Sequence, residues 1–293
     1  MIFDIHTFLK LQNTKILNDA QVKILQNLQN VFFQNLEFLE DLRKYSLLSH
    51  AAYLNLDCKE ILFEDLDQKR LFRALSNNIL KKESVSIGKI KPMLAFSLVK
   101  NFILKAHINE RCNESKMGFR ASLFQQKNSK KFILAIAGSD LRPLKFDFYD
   151  VWSDFLLLNG KIPKGQFESL IQFYNLIKQR FQLGKITLVG HSLGGHLAQL
   201  FALNYPLEID SIYTFQAPGI YNLTKRLEIP YKACHIYTLH NMNLRHFKWY
   251  NFNFVQKLHS KIGEEILLNL GTRIHHPSVS AKGLNELLKN LKA

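Results

Sequence analysis

Apolar positions at intervals of three and four dominate the first part of the chain. Between residues 14 and 44 the apolar residues at this spacing are separated by Asn, Gln and Glu, which is the pattern of an amphipathic helix. A second helical stretch runs from Lys59 to Lys81, and Pro92 begins a third that extends to Ile103. The sequence therefore predicts that roughly the first 110 residues are helical and build no sheet.

The periodicity changes at Gly118. Residues 119–124 and 131–137 are predicted strands, and the polar turn between them predicts a hairpin. Further along, helices are predicted at 166–182 and 193–204, with strands at 185–189, 211–215 and 233–239. The strand at 185–189 is continuously apolar, as in a strand covered on both faces. The strand–helix–strand order predicts a parallel sheet.

One motif carries chemistry, namely Gly190-His191-Ser192-Leu193-Gly194. A bare Gly-x-Ser-x-Gly arises by chance roughly one time in ten in a chain of this length. Here it follows a buried-type strand and opens a helix, a setting that exposes a serine hydroxyl on a tight turn and aims free N–H groups at a developing anion. We interpret Ser192 as a nucleophile; the alternative is a glycine-rich turn with an idle serine.

Four blocks, at residues 118–124, 134–140, 190–197 and 213–219, resemble successive blocks of bacterial class 3-type lipases and phospholipases A1. The segment from Tyr45 to Tyr53 is similar to the helix that precedes the core in that group. The resemblance covers about residues 45–290. It implies an α/β-hydrolase fold, with a mostly parallel central sheet flanked by helices, and a serine-dependent carboxylic ester hydrolase that acts on lipids.

The length of the chain suits one structural unit. We expect an added N-terminal helical region at residues 1–110 that packs on a catalytic core at residues 111–293. The apolar segment Leu141–Gly165 is a candidate cover over the site; the alternative is that its part Asp150–Leu158 is a helix packed on the core.

Acyl transfer needs two hydrogen-bond donors for the oxyanion. The first candidate is the N–H of Leu193, the residue after the nucleophile. The resemblance implies the second, because Ser139 occupies the donor position of the family segment.

The proton of a serine nucleophile is taken by a histidine that follows it in this fold. Seven histidines qualify: His196, His235, His240, His246, His259, His275 and His276. The family places its histidine in a loop before the last helix, predicted here over Gly283–Leu291. We therefore prefer His276, with His275 as its rival.

The third member of a triad is the main departure from the family. The only aspartate after Ser192 is Asp210, which precedes its strand and so belongs to the opposite end of the sheet. Where the family has an acid, this chain has Asn241, whose amide oxygen would orient the histidine. Five further alternatives stay open: Asn243, Glu228, Glu264, Glu265, or no third member at all.

A net charge of +15 favours anionic surfaces, either nucleic acid or acidic lipid head groups. No helix-turn-helix, zinc-finger or RNP signature accompanies it, so we expect a lipid or phospholipid substrate, peripheral contact with an anionic membrane surface and no nucleic acid. The spacing of the histidines and cysteines predicts no metal, and no cofactor is expected.

The cysteines and the N-terminus indicate where the protein is located, and the missing acid bears on whether it is active. The three cysteines are far apart, as free thiols in a reducing compartment are, and the N-terminus lacks a secretory pattern. We expect a cytoplasmic protein, or one exported without a cleavable Sec signal. Because no acid stands at the family position, the alternative function is an inactive or weakly active hydrolase-like module that binds anionic lipid or a protein partner.

Overall fold

The computed structural model describes eight ranges: residues 36–54, 68–76, 90–110, 118–138, 164–220, 235–241, 264–268 and 277–292. The helices are α1 (36–51), α2 (Gln68–Ser76), α3 (Pro92–Asn101), α4 (Lys164–Phe181), α5 (Leu193–Asn204) and α6 (Pro277–Lys292), with a 3-10 turn at Pro206–Glu208. The strands are β1 (Phe102–Asn109), β2 (Arg120–Gln126), β3 (Phe132–Ile136), β4 (Ile186–His191), β5 (Ile209–Phe215), β6 (His235–Asn241) and β7 (Glu264–Leu268).

The strands within these ranges form one sheet in the order of the chain, from β1 to β7. The strand β2 is antiparallel to both β1 and β3, and all pairs from β3 to β7 are parallel. Six strands therefore run in one direction and β2 opposes them. This confirms the predicted hairpin and the predicted parallel sheet.

Helices cover both faces of the sheet. One face packs against α1, α2, α3 and α6 through a core that includes Leu48, Leu75, Leu98 and Leu284. The other face packs against α4 and α5. The central strand β4 is buried at every position, as its continuous apolar run predicts.

Stacked tyrosines hold α1 on the sheet. The ring of Tyr45 lies 4.1 Å from that of Tyr213 on β5, which in turn stacks 5.1 Å from Tyr237 on β6. Tyr45 is almost fully buried. Because aromatic burial and ring stacking both favour this contact, the N-terminal helix is a fixed layer of the core.

Two strands differ from the sequence prediction. The helix α3 ends at Asn101 and the next eight residues form β1, so the prediction that the first 110 residues build no sheet is wrong. The physical reason is a change of period: Phe102, Leu104 and Ala106 are buried at alternate positions, which suits a strand and not a helix. The strand β7 was not predicted.

The last helix begins earlier than predicted, at Pro277 instead of Gly283. Proline suits the first position of a helix because its φ is already helical and its missing N–H would have had no partner there. The division of the chain at residue 110 stays a prediction. No helix in the described ranges is long and apolar enough to cross a bilayer.

Candidate active site

The turn between β4 and α5 holds Ser192 in an unusual backbone conformation, with φ 54° and ψ −127°. A positive φ is uncommon for any residue with a side chain, and it persists only where the surroundings enforce it. Here the N–H of Ser192 donates to the carbonyl of Phe215 at 3.0 Å, and its own carbonyl accepts the N–H of Gly195 at 3.0 Å. The serine is therefore held from both sides of the turn.

Two glycines let this turn form. A Cβ added at Gly194 would lie well inside van der Waals contact of the carbonyl oxygen of Ile136, at the end of β3. A Cβ at Gly190 would overlap the backbone of Gly194 in the same way. The first turn of α5 thus packs backbone against backbone on β3 and β4, as the motif predicts.

Ser192 is partly exposed while both of its neighbours, His191 and Leu193, are buried. Leu193 is the first residue of α5, and the first N–H groups of a helix have no acceptor within it. These N–H groups and the helix dipole favour negative charge beside the serine. Leu193, the predicted first oxyanion donor, thus lies directly beside Ser192 at the start of α5.

The end of β3 lies against the same turn. A Cβ at Gly138 would be 3.1 Å from the Cβ of Ser192 and 2.5 Å from the carbonyl oxygen of His191. Only glycine fits this approach. Ser139, the predicted second donor, follows directly in the chain but lies outside the described residues.

A buried tyrosine connects these elements, and sequence reasoning did not single it out. Tyr53 follows α1, and its hydroxyl accepts the N–H of Gly138 at 2.8 Å and lies 3.1 Å from Nδ1 of His191. The Arg120 guanidinium lies 5.3 Å from its ring centre and donates to its backbone carbonyl at 3.0 Å. The one signal in the sequence was its place at the end of the Tyr45–Tyr53 block.

Among the candidate bases, only His196 has a described side chain. It lies inside α5 and is buried, and this desolvation lowers its pKa to about 4. It is therefore neutral at pH 7 and disfavours the charged form that a general base must adopt. The other six candidates lie outside the described residues or, for His235 and His240 on β6, have side chains outside them.

His275 and His276 lie outside the described ranges, but the helix α6 begins directly after them. Ser280, in the first turn of α6, lies 3.5 Å from the side-chain nitrogen of Gln216. Gln216 follows Phe215, the residue whose carbonyl binds Ser192. The helix that these two histidines precede thus begins at the same edge of the sheet as the serine.

The candidates for the third member are divided between the two edges of the sheet. Asn241 ends β6, at the carboxyl edge where β4 ends in His191. Asp210 lies at the start of β5, and Glu264 and Glu265 at the start of β7, at the amino edge. Two other candidates, Asn243 and Glu228, lie outside the described residues, as does the proposed cover up to residue 163. No three His, Cys, Asp or Glu side chains cluster for a metal within the described ranges.

A family model described as the alpha/beta hydrolase fold matches residues 137–236, about a third of the chain. The match spans Gly138, the Ser192 turn, α5 and β5. The chain has the α/β-hydrolase fold. The expected fold class is thereby confirmed, and the finer resemblance to bacterial class 3-type lipases stays a prediction.

Two solved structures match this chain at low similarity. A lipase from Rhizopus microsporus var. chinensis is 11% identical, over 70% of this chain and 66% of its own, with a TM-score of 0.43. The Lip2 lipase of Yarrowia lipolytica is 14% identical, over 84% and 82%, with a TM-score of 0.45. The chain thus spans just under two thirds of the first. No curated protein sequence matches this chain. Such remote likenesses say nothing about activity.

Because α5 packs closely on β3, one methyl group added at Gly194 should strongly destabilise the protein. Gly194→Ala should lower the free energy of unfolding by about 3 kcal/mol, because its Cβ meets backbone that cannot rotate away. Helix propensity alone would favour alanine by ~1 kcal/mol. The matched control is Gly184→Ala, where no atom lies within 4 Å of the added Cβ. Urea unfolding measures both, and equal stabilities would contradict the backbone contact.

Proposed function

We propose that the protein is a serine-dependent carboxylic ester hydrolase that acts on lipids, of the phospholipase A1 or lipase type. The observation that carries this proposal is the Ser192 turn. A partly exposed serine occupies a conformation with positive φ at the start of a buried helix, and Gly138 brings a second backbone segment against it. A structural serine would not need this conformation, because a residue with negative φ would make an easier turn.

In the proposed reaction the Oγ of Ser192 attacks the ester carbonyl carbon while His276, or its rival His275, takes the hydroxyl proton. The oxyanion accepts hydrogen bonds from the N–H of Leu193 and from Ser139. When the tetrahedral intermediate collapses, the C–O bond to the alcohol breaks and the histidine returns the proton to that alcohol. Water then attacks the acyl-enzyme with the same histidine as base, which releases the fatty acid and Ser192.

Asn241 is the proposed third member, because β6 ends in it at the serine edge. An amide oxygen can hold the histidine ring in the required tautomer. It stabilises the imidazolium less than a carboxylate does, since it carries no full charge. We therefore expect this site to be slower than one that contains an aspartate.

The second candidate function is an inactive hydrolase-like module that binds anionic lipid or a protein partner. One observation favours it: three acidic candidates lie in the first two residues of their strands, at the edge opposite Ser192, namely Asp210, Glu264 and Glu265. The activity of the unmodified protein separates the two functions.

Replacement of the nucleophile should abolish hydrolysis. Ser192→Ala should lower the rate on short p-nitrophenyl esters and on phospholipid by about 10³-fold or more, because the acyl-enzyme can no longer form. Its thermal unfolding should stay within a few degrees of the wild type. An alanine variant that hydrolyses both substrates at the wild-type rate would exclude the serine mechanism. A wild-type protein inactive on both would favour the binding module.

Tyr53 should affect the rate by positioning Gly138 and His191. Tyr53→Phe leaves the buried N–H of Gly138 without its acceptor. We therefore expect kcat to fall about tenfold with little change in KM, because Gly138 shifts against Ser192 while the rest of the site keeps its geometry. The matched control is Tyr45→Phe, which removes another buried hydroxyl from the same segment, one bonded to Lys131.

Both tyrosine variants should lose about 1 kcal/mol of stability. The comparison of kcat therefore separates a positioning role from a structural one. If both variants lose kcat equally, Tyr53 contributes only to folding.

A further inference from the structure

The helix α3 has an inner and an outer face of different chemistry. Ala95, Leu98 and Val99 are buried in the core. Met93 and Phe96, three residues apart and so on one side of the helix, are 87% and 62% exposed. The other large exposed apolar side chains among the described residues, Leu176 and Leu207, lie singly on other elements. Among the described residues, α3 alone therefore carries two large apolar side chains that are exposed on the same side.

Exposed cationic side chains accompany this pair on α3 and on the neighbouring helix α2. Lys91 and Lys100 are exposed at the two ends of α3. The neighbouring α2 buries Leu71 and Leu75 and exposes Arg70 and Arg73 on its outer side.

The two helices are joined where they meet, since the N–H of Ile90 donates to the carbonyl of Leu75 at 3.0 Å. Neither helix contains an Asp or Glu. We define the α2–α3 surface as the six exposed residues Arg70, Arg73, Lys91, Met93, Phe96 and Lys100.

We propose that the α2–α3 surface docks the protein on an anionic lipid bilayer, with Met93 and Phe96 entering the head-group region. Helices that lie in a membrane interface combine an apolar stripe with flanking Lys and Arg in this way. Each Lys or Arg near an anionic bilayer strengthens binding by about fivefold. The four cations of this surface contact lipid phosphates, while the side chains of Met93 and Phe96 move from water into the bilayer interface.

Other occupants fit the surface less well. A second copy of this chain would bring a net charge of +15 against +15. A nucleic acid offers phosphates but no apolar phase for Met93 and Phe96. The inference extends the proposed function by naming the surface that meets lipid, and it can be tested without hydrolysis.

The test is co-sedimentation with vesicles, using full-length protein that carries Ser192→Ala so that no lipid is consumed. We expect binding to vesicles that contain phosphatidylglycerol, weakened in about 0.5 M salt, and little binding to pure phosphatidylcholine. Met93→Ser/Phe96→Ser and Arg70→Gln/Arg73→Gln should each weaken binding by about tenfold or more. Circular dichroism melts verify that each variant is folded.

Two control variants remove the same chemistry elsewhere. Leu207→Ser removes an exposed apolar side chain, and Lys282→Gln/Lys289→Gln removes two exposed cations of α6. Both should bind within about twofold of the parent protein.

Four outcomes would overturn the proposal. If the α6 controls bind as weakly as the Arg70/Arg73 variant, the attraction belongs to the net charge and not to this surface. If the parent protein binds both kinds of vesicle equally, or if the α2–α3 variants keep full binding, the surface does not dock on anionic lipid. If these variants instead change the molecular size on gel filtration without lipid, the surface joins copies of the chain.

Discussion

Ser192 is held in a backbone conformation that costs about 1–3 kcal/mol for a residue with a side chain. The remaining structure of this region follows from that constraint. The serine N–H needs the carbonyl of Phe215, so β4 and β5 must be parallel and in register. The helix that follows needs Gly190 and Gly194, because it starts in contact with the ends of β3 and β4. A slip of one residue in either pairing would remove these contacts and expose a buried face.

The carboxyl edge of the sheet collects the other candidate groups. Gly138 reaches Ser192 from β3, Asn241 ends β6, and α6 begins beside Gln216. The N-terminal layer also reaches this edge, because the hydroxyl of Tyr53 joins Gly138 to His191. The helical layer therefore buries one face of the sheet and fixes the geometry beside the serine. A change at Tyr53, directly after α1, is therefore expected to affect catalysis as well as stability.

Local patterns predicted the elements of the core but not its edge strands. Continuous apolar runs and the Gly-x-Ser-x-Gly setting placed β4, Ser192 and α5 correctly, since both signals depend only on neighbouring residues. The strand β1 was not predicted because Phe96, Val99 and Phe102 keep helical spacing across the end of α3 at Asn101. The strand β7 has only five residues, and its first two are glutamates, so it offered little β propensity.

The partners of the serine depend on contacts between distant segments. Tyr53 lies 85 residues before Gly138 in the chain, and no spacing rule connects them. The sequence could propose Ser192 as nucleophile and Leu193 as oxyanion donor because they share one turn. It left His276 and His275 as rivals and the third member open, because several histidines and no aspartate follow in suitable places. The choice among them depends on tertiary structure.

Reaction with a fluorophosphonate probe tests whether Ser192 is an activated nucleophile, because this probe labels a serine only where a base and an oxyanion hole activate it. We expect that native protein is labelled, that peptide mapping places the label on Ser192, and that protein unfolded in urea is not labelled. Absence of labelling in the native protein, or labelling that is unchanged by unfolding, would contradict the claim that this turn creates an activated nucleophile.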